Sequence, residues 1–316
     1  MTRLLLRQHC GSTKHNSVRK ACRASRIIAD REQALMRLCR KNCCARRGLS
    51  MARERATNFG AAAGLLLAAP VVIVPGSAIA MMIWARWAFY QRHPDYVQQS
   101  APTISRAISD PFIGEPFAAV ILAVACVIAL ALVPLCNAYF ATIRLRTEGD
   151  PATRASLRRL MHVFIVVQFC GTLGMVVCTQ VTFRQNHDIH MIGSYFFFVF
   201  QAIAILLSGI VATRLVHLRS RQGCPYLRLE SRYSRIRRYL AFVTVGLALF
   251  YLVLFAIKGF DLPVPEYDVY NFYTIHEIVT ISAYIFHFML YAPEVFRMTR
   301  SLVSTGSWRL EAQTMA

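Results

Sequence analysis

Long apolar runs alternate with short polar connections along most of this chain. Runs that qualify occupy residues 60–84, 116–140, 160–183, 191–216, 239–257 and 274–296. A hydrocarbon core about 30 Å thick takes roughly 20 apolar residues to cross as a helix. A backbone in lipid must satisfy its own polar groups, which a helix does by itself. The pattern therefore predicts an all-α integral membrane six-helix bundle over residues 59–300, preceded by a head of residues 1–58 and followed by a short tail of residues 301–316.

Composition agrees with that reading: 56% of the 316 residues are hydrophobic and 16% are charged, against roughly a quarter charged in soluble domains. Charge adds a direction. Connections two–three and four–five and the stretch after run six hold 16 Lys and Arg, and the alternate connections hold five. The positive-inside rule puts the richer set in the cytoplasm, so an N-in/C-in topology is expected with both termini cytoplasmic. Aromatic residues mark the opposite, outer edge at Trp84, Trp87 and Tyr90 and again at Tyr267, Tyr270 and Tyr273.

The net charge of +20 would suit a nucleic-acid binder, since clustered cations release counterions from phosphate backbones. Here, however, the arginines outside the head sit between apolar runs, which makes membrane lipids the expected partner and excludes nucleic acid; no protein partner is indicated. The head carries 15 of the 36 Lys and Arg. It is expected to be a basic, disordered cytoplasmic segment, and Met51, just before the first run, offers an alternative start. The ten cysteines fall in the head, inside apolar runs or in an Arg-rich loop, so no disulfide framework is expected. CRKNCC at 39–44 lacks a histidine at zinc-finger spacing. No metal and no cofactor is implied.

Polar residues on one face of a membrane helix usually face the bundle or a cavity. At 100° per residue, His190, Ser194, Gln201 and Ser208 form one line on the fourth helix. His276, Thr280, His287, Tyr291 and Glu294 form another on the sixth, with Glu277 and Tyr284 beside it. Gln168, Thr172 and Thr179 form a third on helix three. Such stripes either hold helices together by hydrogen bonds or line a site. Asp188 and His190 reach the outer interface beside Glu277. A buried imidazole can transfer a proton and a carboxylate can orient it, so His190, Glu277 and His287 are the catalytic candidates. The histidines have no regular spacing for a haem pair, and a hydrolase built on Ser105, His190 and Glu277 lacks a G-x-S-x-G elbow.

Three segments carry a resemblance. APTISRAISDPFIGEP (101–116) precedes the second run, HDIHMIGSYFFFVF (187–200) opens the fourth, and YNFYTIHEIVTISAYIFHFMLYAPEVF (270–296) makes the sixth. Together they resemble the Frag/DRAM/Sfk family, which includes the N-terminal part of the yeast cell-wall protein Cwh. The resemblance implies six or so membrane helices and a Pro-x-Ile-Ser signature in the first outer loop, here Pro102, Ile104 and Ser105. It also implies a histidine early in the fourth helix (His190) and a Glu and a later His in the last (Glu277, His287). Its branches take part in GPI-anchor lipid remodelling, autophagy and plasma-membrane phospholipid organisation. Arg106 and Ala107 after Ser105 bring this chain closer to the GPI-remodelling branch. The expected function is lipid handling or remodelling at the outer leaflet, with Pro102, Ile104, Ser105, Asp188 and Tyr284 as lipid-binding residues. The alternative is a non-catalytic membrane scaffold or autophagy-modulator-like protein that engages lipids or partners through its Arg-rich cytoplasmic loops.

Overall fold

The computed structural model describes residues 62–218, 227, 229, 231–257, 260, 263 and 265–305, with backbone alone at Glu266 and 301–305. The head and residues 306–316 lie outside the described residues. Nine helices and no strand occur among the described residues. Helix α1 is Ala62–Arg92. It is followed by α2 (Pro94–Gln99), α3 (Ile104–Ala107), α4 (Pro111–Arg146), α5 (Pro151–Gln180), α6 (His187–His217), α7 (Arg232–Ile257), α8 (Glu266–Met289) and α9 (Ala292–Thr305). Six spans are long and apolar enough to cross a membrane, and the sixth, Tyr267–Arg300, joins α8 to α9.

The helices begin where local chemistry tells them to. Asp110, Asp150 and Asn186 each accept a hydrogen bond from a first-turn amide of α4, α5 and α6, which satisfies donors the helix itself leaves open. Pro111 and Pro151 follow two of these caps at the position where a missing N–H costs nothing. Helices outrun the apolar runs: α4 has 36 residues, about 54 Å at 1.5 Å per residue, and α7 starts seven residues before Tyr239. Once a helix is nucleated, polar flanks continue it until a cap or proline intervenes.

The α8–α9 break falls at Leu290 and Tyr291, just before Pro293. A proline there removes one backbone donor and clashes with the carbonyl of Met289. Arg237 on α7 donates to the Leu290 carbonyl at the break, at 3.5 Å.

Helices α5 and α6 pack most closely. A Cβ on Gly174 would lie 2.6 Å from the Phe197 nitrogen, and one on Gly193 would lie 2.8 Å from the Cys178 nitrogen, so glycine permits the two backbones to touch. The same interface holds a reciprocal amide pair, Gln168 to Gln201, at 3.0 Å. Large side chains such as Leu66, Ile73, Val166, Phe169 and Leu249 stay exposed on the outside of the bundle, as expected of a surface solvated by lipid tails.

Contacts at the helix ends define two faces of the bundle. At one, Arg86 reaches Asn271 at 2.8 Å and the Ile104 amide reaches Glu277 at 3.0 Å; this is the α3 end. At the other, Arg146 donates to the Leu215 carbonyl and Arg238 to that of Leu229, each at 2.7 Å; this is the arginine end.

Candidate functional site

The α3 end is built around one short helix. Thr103 caps α3 by accepting from the Arg106 amide, and Pro102, buried just before it, fixes the backbone angle of the approach. The Ile104 amide donates to a Glu277 oxygen on α8. Glu277, 4% exposed, thus ties the loop to the bundle, as a carboxylate at a helix start should. With α3 so held, Ile104 and Ala107 point into the core, Ser105 is half-buried and Arg106 is exposed over the Tyr96 ring, 4.9 Å from its centre.

Beneath α3 runs a narrow slot of about 70 Å³. Its walls are mostly apolar, with Ile121, Val124 and Ile128 from α4 and Ile281, Ile285 and Phe288 from α8, interrupted by Thr179, His190 and Gln201. From Glu277 to Phe288 the slot descends about 16 Å at the helical rise. Above it opens a vestibule of about 340 Å³, lined by Tyr96, Tyr195, Tyr251, Tyr270 and Tyr273. The two meet at Ser105, Ser194, Phe198 and Glu277, which line both. An amphiphile would find polar groups at this neck and mostly apolar walls below it.

His190 lies in the same slot wall and is 1% exposed. Its Nδ1 is 3.0 Å from the Val181 carbonyl. A carbonyl only accepts, so Nδ1 carries the hydrogen and Nε2 presents a lone pair. That Nε2 is buried with no hydrogen-bond partner among the described residues. The group that orients the ring at Nδ1 is therefore a backbone carbonyl and not Glu277.

The expected residues divide into those the fold gathers and those it keeps apart. Ile104, Ser105, His190, Glu277 and Tyr284 share the slot, and the Tyr284 hydroxyl donates to the Phe198 carbonyl at 3.0 Å. His287 is about 15 Å below Glu277 at 1.5 Å per residue. It lines a smaller pocket of about 20 Å³ with Gln168, Gln201 and Ser208, which adjoins the foot of the slot at Gln201 and Phe288. Asp188 is exposed, 3.2 Å from His187, and lines neither the slot nor the vestibule; nor does Pro102. His276 bonds the Leu247 carbonyl at 3.0 Å and joins α7 to α8.

Two features escaped the sequence. Tyr270 and Tyr273 have the look of a membrane-edge belt, yet they line the vestibule, and no signal in the sequence separates the two roles. Arg237, one of eight arginines in an apparent loop, is 2% exposed and pairs with the buried Glu294 at 3.3 Å. It lies over the Tyr291 ring at 4.0 Å and reaches the Tyr139 hydroxyl at 3.4 Å. Glu294 in the polar stripe of the last helix was a signal that a partner cation should exist nearby.

These features define a polytopic α-helical membrane protein with an amphiphilic cavity at one end. The chain belongs to the Frag1/DRAM/Sfk1/Cwh43P N-terminal domain family, whose model matches residues 64–297. No curated protein and no solved structure matches the chain.

Proposed function

We propose that this protein binds a membrane lipid with one acyl chain in the slot and its polar end in the vestibule, and remodels it at the neck. What supports this reading is the mostly apolar slot that meets the vestibule at Ser105, Ser194 and Glu277, with the unpartnered His190 Nε2 buried in its wall. A lipid chain passes from bilayer to such a slot at little cost, because the two are nearly alike to a methylene, whereas a polar soluble substrate would lose its water there without hydrogen bonds in return. In the reaction, water or an acceptor hydroxyl attacks the lipid ester carbonyl and gives its proton to His190 Nε2. The carbon–oxygen ester bond then breaks, and the departing oxygen takes that proton. Glu277 holds α3 and Ser105 over the reacting bond. His287, in its own pocket, takes no direct part.

In this reading the α3 end faces the outer leaflet, and the arginine end, with both termini, is cytoplasmic, as the charge bias directs. The scaffold alternative keeps part of its surface: Arg237 and Arg238 are engaged by Glu294 and the Leu229 carbonyl, whereas Arg214, Arg232 and Arg235 are exposed.

The test is a pair of variants of the full chain in lipid nanodiscs. Ile281→Trp, which fills the slot, is expected to strip co-purifying lipid. His190→Gln is expected to keep lipid while slowing ester turnover about a hundredfold or more. Lipid retained in the filled variant would defeat the binding reading, and full turnover in the His190 variant would defeat the chemistry.

A further inference from the structure

The vestibule adjoins an outer bay of about 660 Å³: Tyr96, Arg106 and Phe183 line both. Arg106 thus stands where the two cavities meet. Its guanidinium rests on the Tyr96 ring, and no ion pair ties it to a carboxylate among the described residues.

The charges facing this point come from several elements. Asp110, before α4, lines the bay, but Arg92 at 2.7 Å and His93 at 3.0 Å already hold it. Arg184, from the α5–α6 connection, is a second exposed cation on the bay wall. His187 lines the vestibule beside Asp188. Glu277 is the carboxylate at the neck, where it accepts from the Ile104 amide. Cations thus line the bay at Arg106 and Arg184, where the one carboxylate among the described residues, Asp110, is already paired, and the carboxyl group of Glu277 lies apart at the neck.

We infer that Arg106 is the binding residue for a phosphate group in the lipid head, and hence that the ligand is a phospholipid and not a neutral glyceride. This rests on the lipid reading above and specifies its ligand. A guanidinium offers a planar fork of donors matched to phosphate oxygens, and the cation–π contact with Tyr96 steadies the exposed Arg106 side chain at the mouth. The phosphate then lies between bay and vestibule, the ester linkage lies at the neck near His190, and the chain descends between α4 and α8.

The test titrates the delipidated full-length protein with phosphatidic acid, phosphatidylcholine and diacylglycerol of identical chains, read by native mass spectrometry. Both phosphate-bearing lipids are expected to bind more tightly than diacylglycerol. Arg106→Gln should weaken them about tenfold or more and leave diacylglycerol unchanged. Arg106→Lys, which keeps the charge but loses the fork, should fall between. Equal binding of all three lipids by the unaltered protein, or an Arg106→Gln effect that is absent or the same for all three, would overturn the inference. Glycerol 3-phosphate separates the sources: if it binds through Arg106 while the phospholipids do not, the site takes a soluble phosphate ester and the lipid assignment falls. Ile281→Trp distinguishes the two failures. If it releases every lipid while Arg106→Gln changes nothing, the slot stands and only the phosphate assignment is lost.

Discussion

Arg237 and Glu294 illustrate how much a single pair of residues can carry inside an apolar bundle. Both are almost fully buried, and Arg297 adds a second, weaker contact to the same carboxylate oxygen at 3.7 Å. Removing one member of a buried pair leaves the other uncompensated, which typically costs about 3–5 kcal/mol, whereas replacing both by apolar groups is often close to neutral. Arg237→Leu is therefore expected to lower the thermal midpoint in detergent sharply, and Arg237→Met combined with Glu294→Leu to recover much of the loss. An equal loss in single and double variants would mean that Arg237 acts mainly through the Leu290 carbonyl at the helix break. At the other end, burial works against the Asp110 carboxylate, but hydrogen bonds from Arg92, His93 and the Phe112 amide outweigh it and hold its pKa below the ordinary value. A depressed carboxyl contributes stability in full well above the unfolded value of about 3.9, and that stability fades as pH falls through the lower folded value. Protection of the segment between α1 and α4 against hydrogen exchange, taken relative to the intrinsic exchange rate at each pH, should thus fall below about pH 4. Asp110→Asn should show fast exchange at neutral pH and lose that acid dependence.

At the scale of the element, the α5–α6 contact depends on the absence of side chains. Gly174→Leu would drive its first carbon into the Phe197 backbone, and backbone cannot yield as a flexible side chain can. The helices must separate, pulling apart the Gln168–Gln201 amide pair and moving His190 away from Val181. Loss of both stability and lipid retention is the expected outcome, with Gly246→Leu as the control because nothing lies within 4 Å of a Cβ there. Wild-type retention in the Gly174 variant would show that the slot does not depend on this packing. The existence of these helices was legible from hydrophobic runs of the right length. Their ends were not, because the caps at Asp110, Asp150 and Asn186 lie outside the runs, and because α7 continues through an arginine cluster that has the composition of a loop. The short α3 was likewise visible only as a motif, since four residues are too few to show a period.

At the scale of the whole molecule, the proposed orientation makes a plain prediction. Single cysteines placed at Arg184 and at Glu148, exposed at opposite ends of α5, should react with an impermeant thiol reagent from opposite sides of the membrane in a background lacking the native cysteines. Glu148 should label only after permeabilisation; the reverse pattern would invert the topology and with it the leaflet assigned to the lipid site. Membrane class, six spans, His190 and Glu277 came from apolar length and helical spacing, local properties that any neighbouring fold must respect, and Ser105 came from the loop motif that resembles the family's. Which polar residues meet is a property of distance between helices. Only the tertiary structure separated His287 from the slot, withdrew Arg237 from the loops, turned Tyr270 and Tyr273 inward and put Arg106 at the mouth. In a membrane the apolar pattern says that a helix crosses, but lipid and protein interior are nearly alike to an apolar side chain. Polar stripes marked the inward faces of α5, α6 and α8, and most of their members are buried, but which stripe meets which was decided by packing, at glycine contacts and buried polar pairs that lie far apart in the chain.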